Sequence, residues 1–537
     1  MCSSLPKKNK MSKPKGFART IIVITVIAAA IMELIDTSIV NVALSDMSGS
    51  LGVNIEDVSW VITSYAIANV IIIPLTGFLG EYFGRKNYYV ASMILFTAAS
   101  YMCGQSDSLI ELIIWRFIQG VGGGALLSTS QAILFDAFEP KDRPMAAGLF
   151  GMGIVLGPTL GPTVGGYIIE HFNWPLIFMI NIPIGIIATI LSITFIAKKE
   201  DEGTKKDQIK IDYIGILLLM AGISCLQYVL ERGESEDWFS SDTILYASIV
   251  AGVGLISFII YELSIDQPAV NLRVLGNRNL AFTTIFTFVA GFGLFTSVFI
   301  YPVLAQRVLG FTAFETGISL LAPTLAGVIM MPIIGKLMSK GVTPIPFVIV
   351  GFSLFTVYAF MSAGVSPDVG KGDFFYPLLI RAFGISMSQL PLISQAVVGL
   401  QPKDYASGIS LNNMIRQLGG AFGIAIANNY VAARFALHRT ALVSNLQVGS
   451  GPVTERVQQL SSSLIAKTGD ASTATQKAYS IISLSVDKQA NYLSYLDSFR
   501  LIGIFFLIVI PFVVFLRVKK NSAEDQKAIL KASSEAH

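Results

Sequence analysis

Two carboxylates and a guanidinium stand inside apolar runs, where charge is expensive. Glu33 and Asp36 lie in the run that begins at Phe17 and are spaced i and i+3, so on a helix they share one face. Arg116 lies in a separate run. Ionisable groups in such surroundings mark proton or substrate paths. A carboxyl group out of water and beside a second acid binds a proton more readily than one in solvent. Asp36 is therefore the first candidate for a proton-exchange site, with Glu33 in support. A proton arriving from outside would compete there with a bound molecule. The plain alternative is a shifted span that leaves both acids in water at the outer interface. Arg116 keeps its charge when buried and so requires a carboxylate or a wet cavity; it is expected to face the two acids. Asn41, Tyr65, Gln119, Arg381 and Arg416 are further polar positions in apolar runs and candidates for a cavity wall. Arg381 and Arg416 equally suit span ends, from which long side chains snorkel to water.

Other chemistry has little to stand on. His171, His438 and His537 are dispersed, with no HExxH or other metal-ligand spacing. Cys2, Cys103 and Cys225 are scattered and suggest no disulfide framework. No Walker sequence is present, nor any grouping of nucleophile, histidine and acid. A membrane enzyme should offer such a set, and a sensor an appended signalling domain. The reading is of a protein without cofactor or metal, driven by the proton motive force.

These residues need elements to hold them, and composition says which. Of 537 residues 53% are apolar and 14% charged, against about 25% charged in a soluble domain. Apolar runs of about 20 residues recur, each long enough to cross the hydrocarbon core. Fourteen begin near Phe17, Val58, Tyr88, Leu109, Met145, Leu176, Ile211, Ile244, Leu280, Thr316, Ile345, Phe374, Gly408 and Leu501. In lipid the backbone must satisfy itself, which makes these runs helices. A barrel would show short alternating segments instead. The first run is too long for a signal-peptide core and lacks a clear cleavage site, so its retention is expected.

The placement of charge gives the topology. Lys7, Lys8, Lys10, Lys13, Lys15 and Arg19 precede the first span. Alternate loops then carry Arg85 and Lys86, Lys141 and Arg143, a cluster from Lys198 to Lys210, Arg273 and Arg278, Lys336 and Lys340, Lys403, and Arg517, Lys519 and Lys520. In the intervening short loops only Arg232, Arg307 and Lys371 occur. That asymmetry predicts an even number of spans with both termini in the cytoplasm. The protein is expected to be multi-pass in a bacterial cytoplasmic membrane.

The chain also repeats itself. Leu112–Gly120, with Arg116, is followed by Pro140-Lys141-Asp142; Leu378–Gly384, with Arg381, is followed by Pro402-Lys403-Asp404. Pro74-Leu-Thr-Gly77 is echoed by Pro332-Ile-Ile-Gly335. Both echoes are offset by about 260 residues, as a duplicated unit would give. The expected organisation is a basic tail at 1–16, a six-helix bundle at 17–197, linkers and two inserted spans at 198–278, a second six-helix bundle at 279–517 and a tail at 518–537. A mostly polar stretch, Phe435 to Asp497, is read as a small extracytoplasmic helical hairpin.

Four motifs resemble one family. Gly77-Phe-Leu-Gly-Glu81-Tyr-Phe-Gly84-Arg85-Lys86 resembles the signature cytoplasmic loop of the major facilitator superfamily, with Glu81 where Asp is usual. Its glycines suit a tight turn, and its acid and basic pair suit a charge lock that breaks as the halves rock. Gly153-Ile-Val-Leu-Gly157-Pro158-Thr-Leu-Gly161-Pro162 resembles the antiporter motif of drug exporters, in which glycines give a flat packing face and prolines bend the helix. Met32–Leu44 resembles the first-span motif of the 14-span drug:proton antiporters typified by EmrB and QacA, with Ser45 where proline is common. Arg116–Gly120 is similar to the motif whose arginine assists proton transfer.

The resemblance reaches to about residue 430 and is densest in the first 180. It implies an all-α integral membrane protein of the major facilitator fold, with two six-helix bundles plus two inserted helices. Export of small lipophilic molecules against protons follows as the expected function. Phe282, Phe286, Phe288, Phe292, Phe295 and Phe299 could line an adaptable substrate wall or simply face lipid. Partners implied are a small-molecule substrate, the bilayer and, in a Gram-negative cell, a periplasmic adaptor and outer-membrane channel; nucleic acid is not among them. Rival readings are a carrier of one dedicated solute, such as a siderophore, lipid or amino acid, and, in another class, a membrane enzyme or sensor.

Overall fold

In a computed structural model of the chain, residues 16–197, 211–366, 370, 372–401, 404–446, 451–468 and 470–516 are described. The N-terminal lysines, the Lys198–Lys210 cluster, Lys371, Pro402, Lys403, Cys2, His537 and the C-terminal tail lie outside these residues. Fifteen helices of 15 residues or more are present among them, fourteen of which correspond to the expected spans, and no strand. The first six are α1 (Phe17–Leu51), α2 (Trp60–Phe83), α3 (Arg85–Gln105), α4 (Leu109–Ala137), α5 (Arg143–His171) and α6 (Asn181–Phe195). Two more, α7 (Tyr213–Arg232) and α8 (Asp242–Ser264), precede the final six. These are α9 (Arg278–Val303), α10 (Ala313–Ser339), α11 (Pro344–Ser362), α12 (Phe375–Gln395), α13 (Tyr405–Ser444) and α14 (Ala471–Val509).

Eleven of the fourteen regions are long and apolar enough to cross a membrane by themselves. The three that fall short are α3, α12 and α13. Their polar residues point inward: Ser92 and Ser100 on α3, Arg381 and Gln389 on α12, and Asn412, Asn413 and Arg416 on α13 are all buried. Apolar residues, by contrast, are exposed around the outside, as on α8 at Tyr246, Ile249, Val253, Ile256 and Ile260. An apolar exterior around a polar interior fits lipid as the surrounding solvent.

The packing repeats. α1 packs on α5, α2 on α4 and α3 on α4; α9 packs on α13, α10 on α12 and α11 on α12. Between the groups α5 packs on α10 and α2 on α13, one relation seen twice under the same correspondence. α7 and α8 pair with each other, and α7 leans on α2 and α13.

The α5–α10 seam is close because glycine lets backbones approach. A Cβ added at Gly317 would stand 2.5 Å from Thr163 Cα, one at Gly335 2.7 Å from Pro144 O, and one at Gly166 2.8 Å from Phe314 N. Backbone cannot move aside as a side chain can, so Gly317→Ala is expected to lower stability by about 1–3 kcal/mol. Gly252→Ala, where a Cβ meets open space, serves as the control. Thermal unfolding in one detergent compares them; equal midpoints would mean that the seam tolerates the extra volume.

One expectation changes at the ends of the helices. The stretch 435–497 is helical, as expected, but continuous with the spans: α13 runs unbroken to Ser444, and α14 begins at Ala471, thirty residues before Leu501. A further helix, Gly451–Thr468, lies between them and packs on α14. Ion pairs bind the extensions together. Asp497 meets Arg434 Nη2 at 2.5 Å, His438 Nε2 at 2.8 Å and Arg500 Nη1 at 3.0 Å, while Arg439 meets Asp487 at 2.6 Å. Asp470 caps α14, accepting from the Thr473 N–H and from the hydroxyls of Thr473 and Ser472. These bonds hold its carboxyl well below the usual range, so the cap survives mild acid and is lost only as pH falls through that depressed value. This extension marks one end of the molecule. The opposite end, with Arg19, Arg85, Lys86 and Arg278, is the basic end.

Candidate functional site

Helix periodicity puts Glu33 and Asp36 on the inward side of α1, where they are 1% and 0% exposed. Their surroundings differ. Asp36 is fully engaged: Oδ2 accepts from Arg116 Nη1 at 2.6 Å, and Oδ1 accepts from Gln119 Nε2 and Asn181 Nδ2, each at 2.8 Å. Arg116, from α4, also donates to Gln119 Oε1 at 2.8 Å and, through Nε, to Val61 O at 3.1 Å. Its guanidinium lies over the Tyr65 ring, 4.1 Å from the centroid. Ser100 Oγ accepts from Gln119 and Asn181 and donates to Phe178 O. Asn181 reaches Asp36 because the chain passes at Ile180 from the short helix Leu176–Met179 into α6. The cluster thus draws on α1, α2, α3, α4 and α6. A buried ion pair holds when its remaining donors and acceptors are met; here both oxygens of Asp36 and the Nε and Nη1 of Arg116 are bonded.

Glu33 is only half engaged. Its Oε1 accepts from Asn69 Nδ2 at 2.9 Å and from the Tyr65 hydroxyl at 3.3 Å. Its Oε2 is buried without a partner. On α13, from the other group of helices, Arg416 acts electrostatically on Glu33 without bonding to it. Arg416 Nε and Nη1 are likewise buried without partners. One acid is locked, and the other keeps a free oxygen between the two groups of helices.

The glycine motif explains how α1 is held. Cβ atoms added at Gly153, Gly157 and Gly161 would meet Ile31 Cγ1 at 3.2 Å, Leu34 Cβ at 2.4 Å and Ser38 Oγ at 1.9 Å. These three glycines, spaced four apart, seat α5 on the face of α1 beside the acids. Pro158 and Pro162 are buried in the same helix. The opposite side of α5 forms the seam with α10. A thin helix therefore lies between the acid-bearing helix and the second group.

The basic loop is built differently from expectation. Gly84, at φ +82°, makes the one-residue turn from α2 to α3, a conformation glycine adopts without strain. Gly77 approaches Ser407 of α13, the added Cβ falling 3.3 Å from its N. Arg85, however, pairs with Asp136 at the end of α4 and not with Glu81. Lys86 Nζ donates to Ile193 O at 2.6 Å. Glu81 instead lines a cavity of about 540 Å³ at the basic end, with Asp266, Arg273, Asn277 and Asp404 among the other walls. Asp136 carries no motif, and sequence reading missed it.

The remaining candidates scatter. Tyr65 and Gln119 belong to the acid cluster. Asn41 is exposed on α1 and donates to Ser38 O. Arg381 and Arg416 do not snorkel: both are buried, 2% and 1% exposed. Phe286 and Phe292 pack in the core against Phe352 and Phe505, while the other four phenylalanines of α9 are partly or more exposed. Between the groups, Asn413 donates to Ser128 Oγ and Gln131 Oε1, each at 3.1 Å, near the basic end of α4. Among the described residues no cluster of His, Cys, Asp and Glu suited to a metal occurs.

Comparison with known proteins agrees with this architecture. The family model of the Major Facilitator Superfamily matches residues 26–424. The multidrug export protein EmrB of Haemophilus influenzae is 33% identical over 433 residues, 80% of this chain and 84% of that one. The fatty acid resistance protein FarB of Neisseria gonorrhoeae is 31% identical over 499 residues, 93% and 96% of the two chains. The crystal structure of the human organic anion transporter MFSD10 (TETRAN) shares the fold, with a TM-score of 0.54 at 13% identity, covering 91% of this chain and 99% of that one. Fold, motifs and relatives meet on one conclusion: the chain belongs to the major facilitator superfamily of membrane transporters, not enzymes, in the branch that holds the EmrB export proteins.

Proposed function

We propose that the protein exports small lipophilic or amphiphilic compounds across a bacterial cytoplasmic membrane in exchange for protons. The observation that carries the coupling is the buried, unbonded Oε2 of Glu33, within electrostatic reach of an incompletely bonded Arg416 on the other group of helices. An ionised Glu33 attracts Arg416 and favours approach of the two groups. A protonated Glu33 releases that attraction, and the freed guanidinium and cavity wall can turn to another partner. Asp36, with both oxygens bonded, and Arg116 hold α1 against α4 through the cycle. This reverses the order expected from sequence, which put Asp36 first and Glu33 in support. The reason is that the two acids differ in their partners on other helices.

Export and breadth of cargo are supported by the relatives, two of which are named for drug export and for fatty acid resistance. The alternation of lysine and arginine supports a cytoplasmic basic end and cytoplasmic termini. The proton motive force supplies the work, with no cofactor. One proton moving through about 100 mV releases about 2.3 kcal/mol, enough for roughly a 50-fold gradient of a neutral cargo. In a Gram-negative cell, the extension of α13 and α14 with helix Gly451–Thr468 is the proposed docking place for a periplasmic adaptor that leads to an outer-membrane channel.

The test is uptake into proteoliposomes carrying an imposed proton gradient, with lipophilic cations, neutral dyes and lipophilic acids as cargo. Uptake of several classes that collapses with the gradient is the expected result. Uptake of a single class would favour a dedicated carrier. Uptake indifferent to the gradient would end the antiport reading.

A further inference from the structure

The two copies of the repeat differ at one polar site. In the first, Arg116 has Asp36, Gln119 and Val61 O as partners. In the second the equivalent arginine is Arg381 on α12, and both strong partners are gone. Gly384 stands three residues on, where Gln119 stands in the first copy. Ser297 on α9 stands about 260 residues beyond Asp36, the offset of the repeat. Arg381 Nη1 reaches Ser297 Oγ at a long 3.4 Å, and its Nε is buried without a partner. Among the described residues the ionisable groups that act on Arg381 are the hydroxyls of Tyr358 and Tyr301; no carboxylate does. Tyr301 is already bonded to Ser319 at 2.7 Å.

An arginine stays charged when buried, and a buried charge without a counter-charge is among the costliest arrangements in a protein. Position, orphaned N–H and lost acid coincide. We infer that Arg381 and Ser297 form an anion subsite of the second half, which takes one monovalent anionic group where the first half supplies its own carboxylate. That group is either a free inorganic anion or the carboxylate of a carried molecule. In both cases it accepts from the guanidinium; the Ser297 hydroxyl, which donates to Leu294 O at 2.9 Å and accepts from Arg381, joins as a donor only by turning from that carbonyl. The subsite does not depend on the proposed antiport, because it is read by binding without any gradient.

The experiment is thermal unfolding of the purified full chain in dilute buffer, titrated separately with sodium chloride, sodium acetate and sodium octanoate. Wild type is compared with Arg381→Met, which keeps the volume and removes the charge, and with Ser297→Asp, which restores the missing acid. Wild type should show a saturable rise of roughly 2 °C or more that Arg381→Met lacks. Ser297→Asp should start above wild type and gain nothing further. Stabilisation by chloride as well as acetate identifies a small-anion site; stabilisation by acetate and octanoate alone identifies a cargo carboxylate. Equal anion responses in wild type and both variants overturn the inference, whatever the transport assay shows.

Discussion

Replacing Asp36 with asparagine is expected to lower the stability of the protein by about 3–5 kcal/mol, the penalty of breaking a buried ion pair from one side. The change is nearly isosteric, so the cost is electrostatic. Arg116 is 1% exposed and would keep its charge with only neutral acceptors, Gln119 Oε1 and Val61 O. The new amide would also place an N–H against the donors of Gln119 or Asn181, where a carboxylate oxygen had accepted from both. Arg116→Gln in the same background should restore much of the loss, since both charges are then gone. Denaturant or thermal midpoints of the two single variants and the double variant measure this. Additive losses with no recovery would mean that the pair contributes little, and loss of transport in Asp36→Asn could then be read as a coupling defect. With recovery, that loss is a folding defect.

Glu33→Gln is expected to act in the other way, abolishing proton-driven accumulation while leaving a folded protein that still binds cargo. The glutamine oxygen can accept from Asn69 and Tyr65 as Oε1 does, so the local bonds survive. What disappears is the ability to gain and lose charge opposite Arg416. The gradient-driven accumulation, about 50-fold for one proton at about 100 mV, should fall to equilibration, with cargo exchange in the absence of a gradient retained. Proteoliposomes with and without an imposed gradient separate the two modes. Accumulation that persists in Glu33→Gln would remove Glu33 as the coupling group.

Lipid made much of the fold legible. A run of apolar residues long enough to span the bilayer has almost no choice but helix, so eleven of the fourteen were readable from hydropathy alone, and α3, α12 and α13 stand out less because their polar residues turn inward. The meeting of Arg116 with Asp36 was also foreseeable, because a buried guanidinium needs an acid. The division of labour between Glu33 and Asp36 was not. It depends on Asn181, Ser100, Asn69 and Arg416, which lie far away in the chain and carry no spacing signal. The same holds for Asp136, which takes Arg85 in place of Glu81. At 435–497 the helices were legible but their continuity with α13 and α14 was not, since helices that leave the bilayer simply continue. Their exposed residues are no longer selected by lipid, so the apolar boundary and the helix boundary part company.

The weak apolarity of α12 and α13 also bears on how the chain is made. Each carries a buried arginine, Arg381 or Arg416, and an arginine at the centre of a span costs roughly 2.5–3.5 kcal/mol during insertion from the translocon. The two helices are consecutive, and their partners α9, α10 and α11 are all made before them. The nascent chain thus meets its least lipid-soluble segments only after a receiving surface has been laid down. The second half is expected to pass through the membrane as a cooperating group of helices, with α14, strongly apolar and last to emerge, closing the group behind them.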